Sequence, residues 1–248
     1  MKPILKLIQV LYSVYAIMLF ILLMLVVFPF VVIASLLGKI KGGNIIYRLC
    51  SYWSDVWFFL IGIYTKKIFE TPVDKTKQYI FVANHISYMD VPMIVKVIRQ
   101  PVRALGKFEM SKVPVFGFMY RNAAVMVDRS SAENRTKSVL TLKSIVRKGI
   151  SIFIFPEGTF NETPALLKEF YDGAFKIAIE TQTPLKPMIF PDTVERMHYK
   201  SVFSFTPGKC RAIFLEEVNV EGMTIDNVQA LKNRVFKIME DGLRRYEF

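Results

Sequence analysis

The chain has 248 residues, and its 33 Lys and Arg against 21 Asp and Glu give it a formal net charge of +12. Apolar residues make up 52% of it, which excludes a disordered chain because disorder combines low hydrophobicity with high net charge. The two cysteines, Cys50 and Cys210, form neither a disulfide framework nor a metal-binding pattern, and they suit a reducing compartment. The length allows one large domain, or one domain with an appendage.

The N-terminal segment, residues 7–38, carries no charged residue. It is long enough to cross a bilayer, for which about 20 apolar residues suffice. We expect Pro29 to kink or break this helix, because proline removes a backbone donor. Glycines at 42 and 43 then indicate a turn. The second segment, residues 45–64, has Asp55 near its middle among Trp and Tyr residues, which favours the headgroup level over a second free span.

Three interpretations of this front end compete: a cleaved signal peptide, a single transmembrane anchor, and a helical hairpin dipping into one leaflet. A signal peptide fits worst, because its apolar region would be too long and no small-residue cleavage site follows. We therefore predict that residues 1–66 bind the cytoplasmic membrane, with the rest of the chain facing the cytoplasm. The charge of +12 suits an anionic bilayer surface, and no recognition motif accompanies it that would indicate nucleic acid.

Short runs rich in β-branched and aromatic residues predict strands at 78–83, 102–105, 123–127, 151–155, 185–190 and 209–216. Helical patterns alternate with them. One begins at a capping box of Ser130 and Glu133 and ends at Gly149, and an amphipathic one covers residues 228–238. This alternation predicts an α/β fold in residues 67–248, with helices flanking a largely parallel central sheet.

His85 directly follows the first of these strands, in the pattern Asn84-His85-x4-Asp90. Sheets of this type place their sites at the carboxyl ends of strands. A carboxylate five residues on can hold one imidazole nitrogen, so that the other nitrogen takes a proton from a substrate hydroxyl. The alternative is a structural turn in which Asp90 only caps the next helix, and this stretch alone does not decide between the two.

A second stretch, Phe155-Pro156-Glu157-Gly158-Thr159, follows another predicted strand. Pro-Glu-Gly alone can be nothing more than a turn. In this order, however, the two stretches resemble the motifs of the glycerolipid acyltransferase family, of the 1-acylglycerol-3-phosphate acyltransferase type. Weaker similarity at residues 125–129 and 183–187 extends the resemblance over roughly residues 77–191, and the apolar front end is also typical of such enzymes.

The resemblance implies that His85, paired with Asp90, deprotonates a glycerol hydroxyl, which then attacks an acyl thioester. The substrate-binding residues that it implies are Asn84, Lys107, Arg129, Glu157, Gly158 and Thr159. Among them Glu157, Gly158 and Thr159 would place the glycerol, while Arg129 and Lys107 would hold its phosphate; ordinary surface charge is the alternative for these two. No metal or cofactor is expected, because a thioester donor needs no activating metal.

Two positions depart from the family pattern. Phe160 stands where the second motif usually ends in Arg, and Tyr171 stands where a lysine is common, with Asp172 adding a negative charge beside it. Lys168 is close enough in sequence to replace one of the missing charges. The departures indicate either drift of the loop or a different acceptor, such as the lyso form of an amino-acid lipid.

We predict a membrane-associated O-acyltransferase that transfers a fatty acyl group from acyl-CoA or acyl-carrier protein to a lyso-lipid. The acceptor predicted first is 1-acylglycerol 3-phosphate, which would give phosphatidate in phospholipid biosynthesis. One alternative keeps the chemistry and changes the lyso-lipid acceptor. The other is a non-catalytic membrane lipid-binding protein that retains the fold, against which the intact motif residues argue.

Overall fold

The structure is a computed structural model that describes residues 3–127 and 132–246, and only the backbone of residues 132–136. Within these residues the strands are β1 (Ile63–Phe69), β2 (Ile80–Ala83), β3 (Val102–Lys107), β4 (Ala124–Val127), β5 (Ser151–Ile154), β6 (Leu185–Ile189) and β7 (Gly208–Phe214). The α-helices are α1 (Pro3–Ser35), α2 (Gly43–Leu60), α3 (Asp90–Val97), α4 (Phe116–Ala123), α5 (Ala132–Arg147), α6 (Gly173–Thr181), α7 (Thr193–Arg196) and α8 (Val228–Arg245).

The strands form one sheet in the order β1-β7-β6-β2-β5-β3-β4. Neighbouring strands are parallel except for β6 and β7, which confirms the predicted α/β fold with a largely parallel sheet. The predicted strands correspond to β2 through β7. The sequence pattern misses β1, an edge strand that pairs only with β7 and carries Lys66 and Lys67 in succession. The predicted domain boundary between residues 66 and 67 falls inside this strand.

Helices cover both faces of the sheet, so the central strands are buried on both sides. One face packs against α5, α6 and α8 through a core that includes Leu142, Phe175 and Val235. The other face packs against α2 and α3 through a core that includes Trp57 and Met93. The amphipathic C-terminal helix is confirmed as α8, and it lies against β6 and α6.

The first two helices form an antiparallel hairpin. The indole N–H of Trp57 in α2 donates a 2.9 Å hydrogen bond to the carbonyl of Ala16 in α1. The connection is a π-helical turn over Gly38–Gly42, so the turn lies slightly earlier than predicted and Gly43 already belongs to α2. The predicted break at Pro29 is wrong: α1 runs through it, because proline removes one hydrogen bond while the neighbouring turns keep theirs.

Polar contacts fix the hairpin to the domain. Asp55 in α2 accepts from Lys96 at 2.8 Å and from Arg99 at 2.7 Å, so the charge in the middle of the second apolar segment is neutralised by the α3 region. Arg103, buried on β3, donates to the carbonyl of Lys39 at 3.1 Å and to Asn44 Oδ1 at 2.8 Å. The turn of the hairpin is therefore held by the strand that ends beside the site described next.

Candidate active site

The site lies at the carboxyl edge of the sheet, where the loops after β2 and β5 meet because these strands are parallel neighbours. His85 follows β2, and Asp90 is the first residue of α3. His85 Nδ1 lies 2.8 Å from Asp90 Oδ2. The structure thus brings together the imidazole and the carboxylate that the sequence pairs.

Asp90 is fixed as well as paired. Its Oδ2 also accepts the backbone N–H groups of Ile86 and Ser87, at 2.8 and 2.9 Å, and its side chain is completely buried. The imidazole of His85 is 15% exposed. A carboxylate held by two amides orients the Nδ1–H tautomer, which leaves Nε2 as the proton acceptor.

Glu157 ties the two loops together. Its side chain is 1% exposed; Oε1 accepts the backbone N–H of His85 at 2.8 Å, and Oε2 accepts that of Lys168 at 2.9 Å. Burial raises the pKa of this carboxyl to about 7, against the opposing effect of the two backbone donors. Gly158 follows with a φ of +73°, a conformation that glycine adopts without strain. Each carboxylate oxygen of Glu157 thus accepts a hydrogen bond from a backbone N–H, and through these two bonds the side chain joins the loop after β2 to the loop after β5.

Asn84, the residue before His85, is bonded to the backbone of another part of the sheet. Its side chain is fully buried and forms a two-way pair with the backbone of Phe190, accepting from N–H at 2.8 Å and donating to C=O at 3.2 Å. This pairing joins the end of β2 to the end of β6. The side chain of Asn84 thus holds the backbone beside the site, and the substrate-binding role that the resemblance implies for it stays a prediction.

Aromatic rings surround the imidazole. The ring of Phe155 stacks on His85 with a centroid distance of 3.8 Å, and Phe160 contacts it at 4.4 Å in a tilted geometry. Phe160 in turn contacts Tyr88 at 4.8 Å and Tyr199 at 6.2 Å. The residue that departs from the family pattern therefore packs on His85 itself, a contact that the sequence did not reveal.

The remaining predicted residues lie around this centre. Thr159 is exposed, and its Oγ1 accepts a 2.7 Å hydrogen bond from Lys168 Nζ. Lys107 is exposed at the carboxyl end of β3, on the same edge of the sheet as His85. Arg129 lies outside the described residues. The charge of Asp172 is neutralised by Lys232 at 2.9 Å, so it does not add a free negative charge to the site.

An apolar cavity of about 600 Å³ opens beside the second motif. Phe155 and Gly158 of the second motif line it together with Leu142 and Ile177, and Asp172 and Lys176 also belong to the lining. A mostly apolar lining of this kind suits a hydrocarbon chain. Within the described residues, no group of three or more His, Cys, Asp or Glu side chains is placed to hold a metal ion.

Comparisons with known proteins agree with this geometry. The sequence model of the Acyltransferase family matches residues 65–191. The chain is 28% identical over 193 residues to the 1-acyl-sn-glycerol-3-phosphate acyltransferase of Haemophilus influenzae, covering 76% of this chain and 78% of that protein. It is 29% identical over 166 residues to the human 1-acyl-sn-glycerol-3-phosphate acyltransferase alpha, covering 64% of this chain and 56% of that longer protein.

The fold also matches a solved structure. The crystal structure of the 1-acyl-sn-glycerophosphate acyltransferase from Thermotoga maritima superposes with a TM-score of 0.72, covering 99% of this chain and 98% of that one. The two sequences are 21% identical, so this likeness concerns the fold alone.

Proposed function

The chain belongs to the acyltransferase family, and from that premise we propose that it is a membrane-associated O-acyltransferase that acylates 1-acylglycerol 3-phosphate to phosphatidate. The donor is a fatty acyl thioester of coenzyme A or of acyl-carrier protein. The observation that carries the proposal is the pair of His85 and the buried Asp90 at the carboxyl edge of the sheet, with 2.8 Å between Nδ1 and Oδ2. The names of the bacterial and human relatives support this acceptor.

The reaction follows from this pair. His85 Nε2 takes the proton of the free glycerol hydroxyl as the oxygen attacks the thioester carbonyl, and Asp90 stabilises the imidazolium that forms. The tetrahedral intermediate then collapses, the C–S bond breaks, and the imidazolium gives its proton to the departing thiolate. The products are the ester and the free thiol, and the base returns to its starting state without any cofactor.

Membrane association rests on the hairpin. Helix α1 carries no charged residue after Lys6, and only 17% of its most apolar 18-residue window is buried against the protein. Because α2 is fixed to the domain through Asp55 and Trp57 lies against α1, a perpendicular span by α1 would draw the domain into the bilayer. We infer that the hairpin lies in one leaflet, with both ends on the cytoplasmic side. Flotation with anionic and zwitterionic vesicles tests membrane association. An enzyme that stays in the soluble fraction with both kinds of vesicle would contradict it.

The activity is tested by thiol release from acyl-CoA and, in parallel, from acyl-carrier protein. Lysophosphatidate and a lyso-aminolipid are offered separately to the detergent-purified enzyme, with His85→Ala as the control. Turnover of lysophosphatidate that is lost in the variant supports the proposal. Turnover with the lyso-aminolipid alone would show that the acceptor is this lipid and not lysophosphatidate, in accord with Phe160 and Tyr171. No turnover with either donor and either acceptor would favour the non-catalytic lipid-binding protein.

A further inference from the structure

The proposed acceptor carries a phosphate monoester, and the loop that bears the second motif presents it with little positive charge. Phe160 and Tyr171 are both aromatic, and the nearby Asp172 is paired with Lys232. A phosphate that leaves water for such a loop needs a charge-assisted donor, because burying an unpaired charge is costly. The question is which side chain of this chain supplies the donor.

Lys168 places an ammonium on this loop. Its Nζ lies 2.7 Å from Oγ1 of Thr159, the residue directly before Phe160. The backbone of Lys168 is fixed as well, because its N–H donates to the same Glu157 carboxylate that holds the backbone N–H of His85. The backbone of Lys168 is thus fixed relative to His85 through Glu157, and the side chain of Lys168 takes no part in these bonds.

The ammonium also has donors to spare. A lysine ammonium has three N–H donors, and the contact with Thr159 uses one of them. Within the described residues it forms no ion pair with a carboxylate, in contrast to Lys176 and Lys232, which both pair with Asp172. Because Thr159 Oγ1 accepts from the lysine, its hydroxyl hydrogen points elsewhere and can serve the same anion.

We propose that Lys168, assisted by the Thr159 hydroxyl, binds the phosphate of the acceptor and so selects an anionic lyso-lipid. This inference rests on the proposed function. An ammonium is a point charge without the planar fork of a guanidinium, so Lys168 attracts the phosphate while the hydroxyl sets its direction. Position 160 then needs no arginine for the anion, and Phe160 packs on His85.

The test compares Lys168→Met, Lys168→Arg and Lys148→Met with the wild-type enzyme. Met keeps the length of the side chain and the backbone N–H that Glu157 accepts, so the loop is preserved. Lys148 is an exposed lysine just before β5, at the opposite edge of the sheet, and its substitution removes the same charge far from the site. The measurements are kcat and KM for lysophosphatidate, and the inhibition constant of sn-glycerol 3-phosphate.

Loss of one charge-assisted contact corresponds to a change of about tenfold or more in binding. We expect Lys168→Met to raise both KM and the inhibition constant by at least about that factor, with kcat within about threefold of wild type. Lys168→Arg should restore most of the affinity, and Lys148→Met should match wild type. A fall in kcat with unchanged KM and inhibition constant would overturn the inference.

The outcomes also separate this inference from the proposed function. If the wild-type enzyme acylates lysophosphatidate and Lys168→Met does so with the same KM, the function stands and the role of Lys168 is refuted. If the wild-type enzyme does not acylate lysophosphatidate with either donor, the proposed acceptor is refuted and the phosphate-binding role falls with it.

Discussion

The backbone N–H of His85 donates a 2.8 Å hydrogen bond to Glu157 Oε1, so the two motifs are joined by a direct bond across the neighbouring strands β2 and β5. The carbonyl of His85 accepts from the backbone N–H of Asn161 at 2.7 Å, which fixes the same residue from its other side. The base is thus positioned by the loop of the second motif as much as by Asp90. Under the proposed mechanism, a substitution that shifts this loop should lower the rate of acyl transfer even if the substituted residue does not contact the substrate.

Glu157 gives the protein a distinctive pH dependence of stability. Its folded-state pKa of about 7 is above the ordinary glutamate value of 4.5, so the folded state binds the proton more tightly than the unfolded chain does. Its contribution to stability is therefore fully present below about pH 4.5 and is lost as the pH rises through about 7. With 1.36 kcal/mol per pKa unit, the free energy of unfolding should fall by about 3 kcal/mol over that interval.

The measurement is the unfolding of the wild-type protein and of Glu157→Gln in detergent from pH 4.5 to pH 8. Glutamine does not titrate, so the difference between the two proteins isolates this carboxyl from the other acidic groups. We expect the difference to change with pH by about 3 kcal/mol, in favour of the variant at high pH. A difference that is constant over the interval would contradict the raised pKa.

Substitutions of His85 and of Asp90 should affect acyl transfer to different extents. His85→Ala removes the proton acceptor and should abolish acyl transfer. Asp90→Asn preserves the size of the side chain but loses the charge that stabilises the imidazolium, and it should lower kcat by about a thousandfold or more, as in other His–Asp pairs.

Acyl transfer to lysophosphatidate is the assay for both variants. His198→Ala is the matched control, because His198 Nδ1 accepts a local backbone N–H, that of Lys200 at 3.1 Å, and its ring contacts the neighbouring Tyr199. The control should stay within about threefold of wild type. Substantial transfer by His85→Ala would refute the mechanism.

Phe160 should affect kcat rather than KM. Its ring contacts His85 at 4.4 Å and Tyr88 at 4.8 Å, so Phe160→Ala gives the imidazole freedom to leave its productive orientation. Aromatic contacts contribute about 0.5–1.5 kcal/mol each beyond the area that they bury, which corresponds to a fall of about tenfold in kcat. Phe160→Tyr retains the ring and should retain the rate. A rise in KM with unchanged kcat would instead assign Phe160 to acceptor binding.

Local sequence predicts most of the fold because the central strands are short apolar runs separated by helical patterns. It misses β1 because consecutive lysines interrupt the edge strand. Asp55 illustrates a different limit. Its charge correctly argues against a second free span, but its partners Lys96 and Arg99 lie in another helical region and become visible only in the folded chain.

The site shows the same division between local and long-range information. The spacing of His85 and Asp90 falls within one loop and one helical turn, so the pair is predictable from sequence. The buried pairing of Asn84 with Phe190 joins residues from different strands, and no local pattern reports it. The packing of Phe160 on His85 is hidden for the same reason.

Arg103 provides a test of how the hairpin is fixed to the domain. Its guanidinium is buried and donates to the carbonyls of Lys39 and Ile40, at 3.1 and 3.3 Å, and to Asn44 Oδ1 at 2.8 Å. Arg103→Met removes these hydrogen bonds, and a hydrogen bond to a charged group contributes about 1.5–3 kcal/mol. We expect a loss of about 3 kcal/mol or more in the free energy of unfolding.

Fluorescence of the two tryptophans, both in α2, reports the unfolding of this region. Arg99→Met is the matched control: it removes the same side chain from a half-exposed ion pair with Asp55, a contact that contributes less than about 1 kcal/mol. A larger loss in Arg103→Met than in Arg99→Met shows that the buried arginine, and not the surface ion pair, holds the hairpin on the domain. Equal losses would contradict this account, because apolar packing of α2 on the sheet would then suffice to hold the hairpin on the domain.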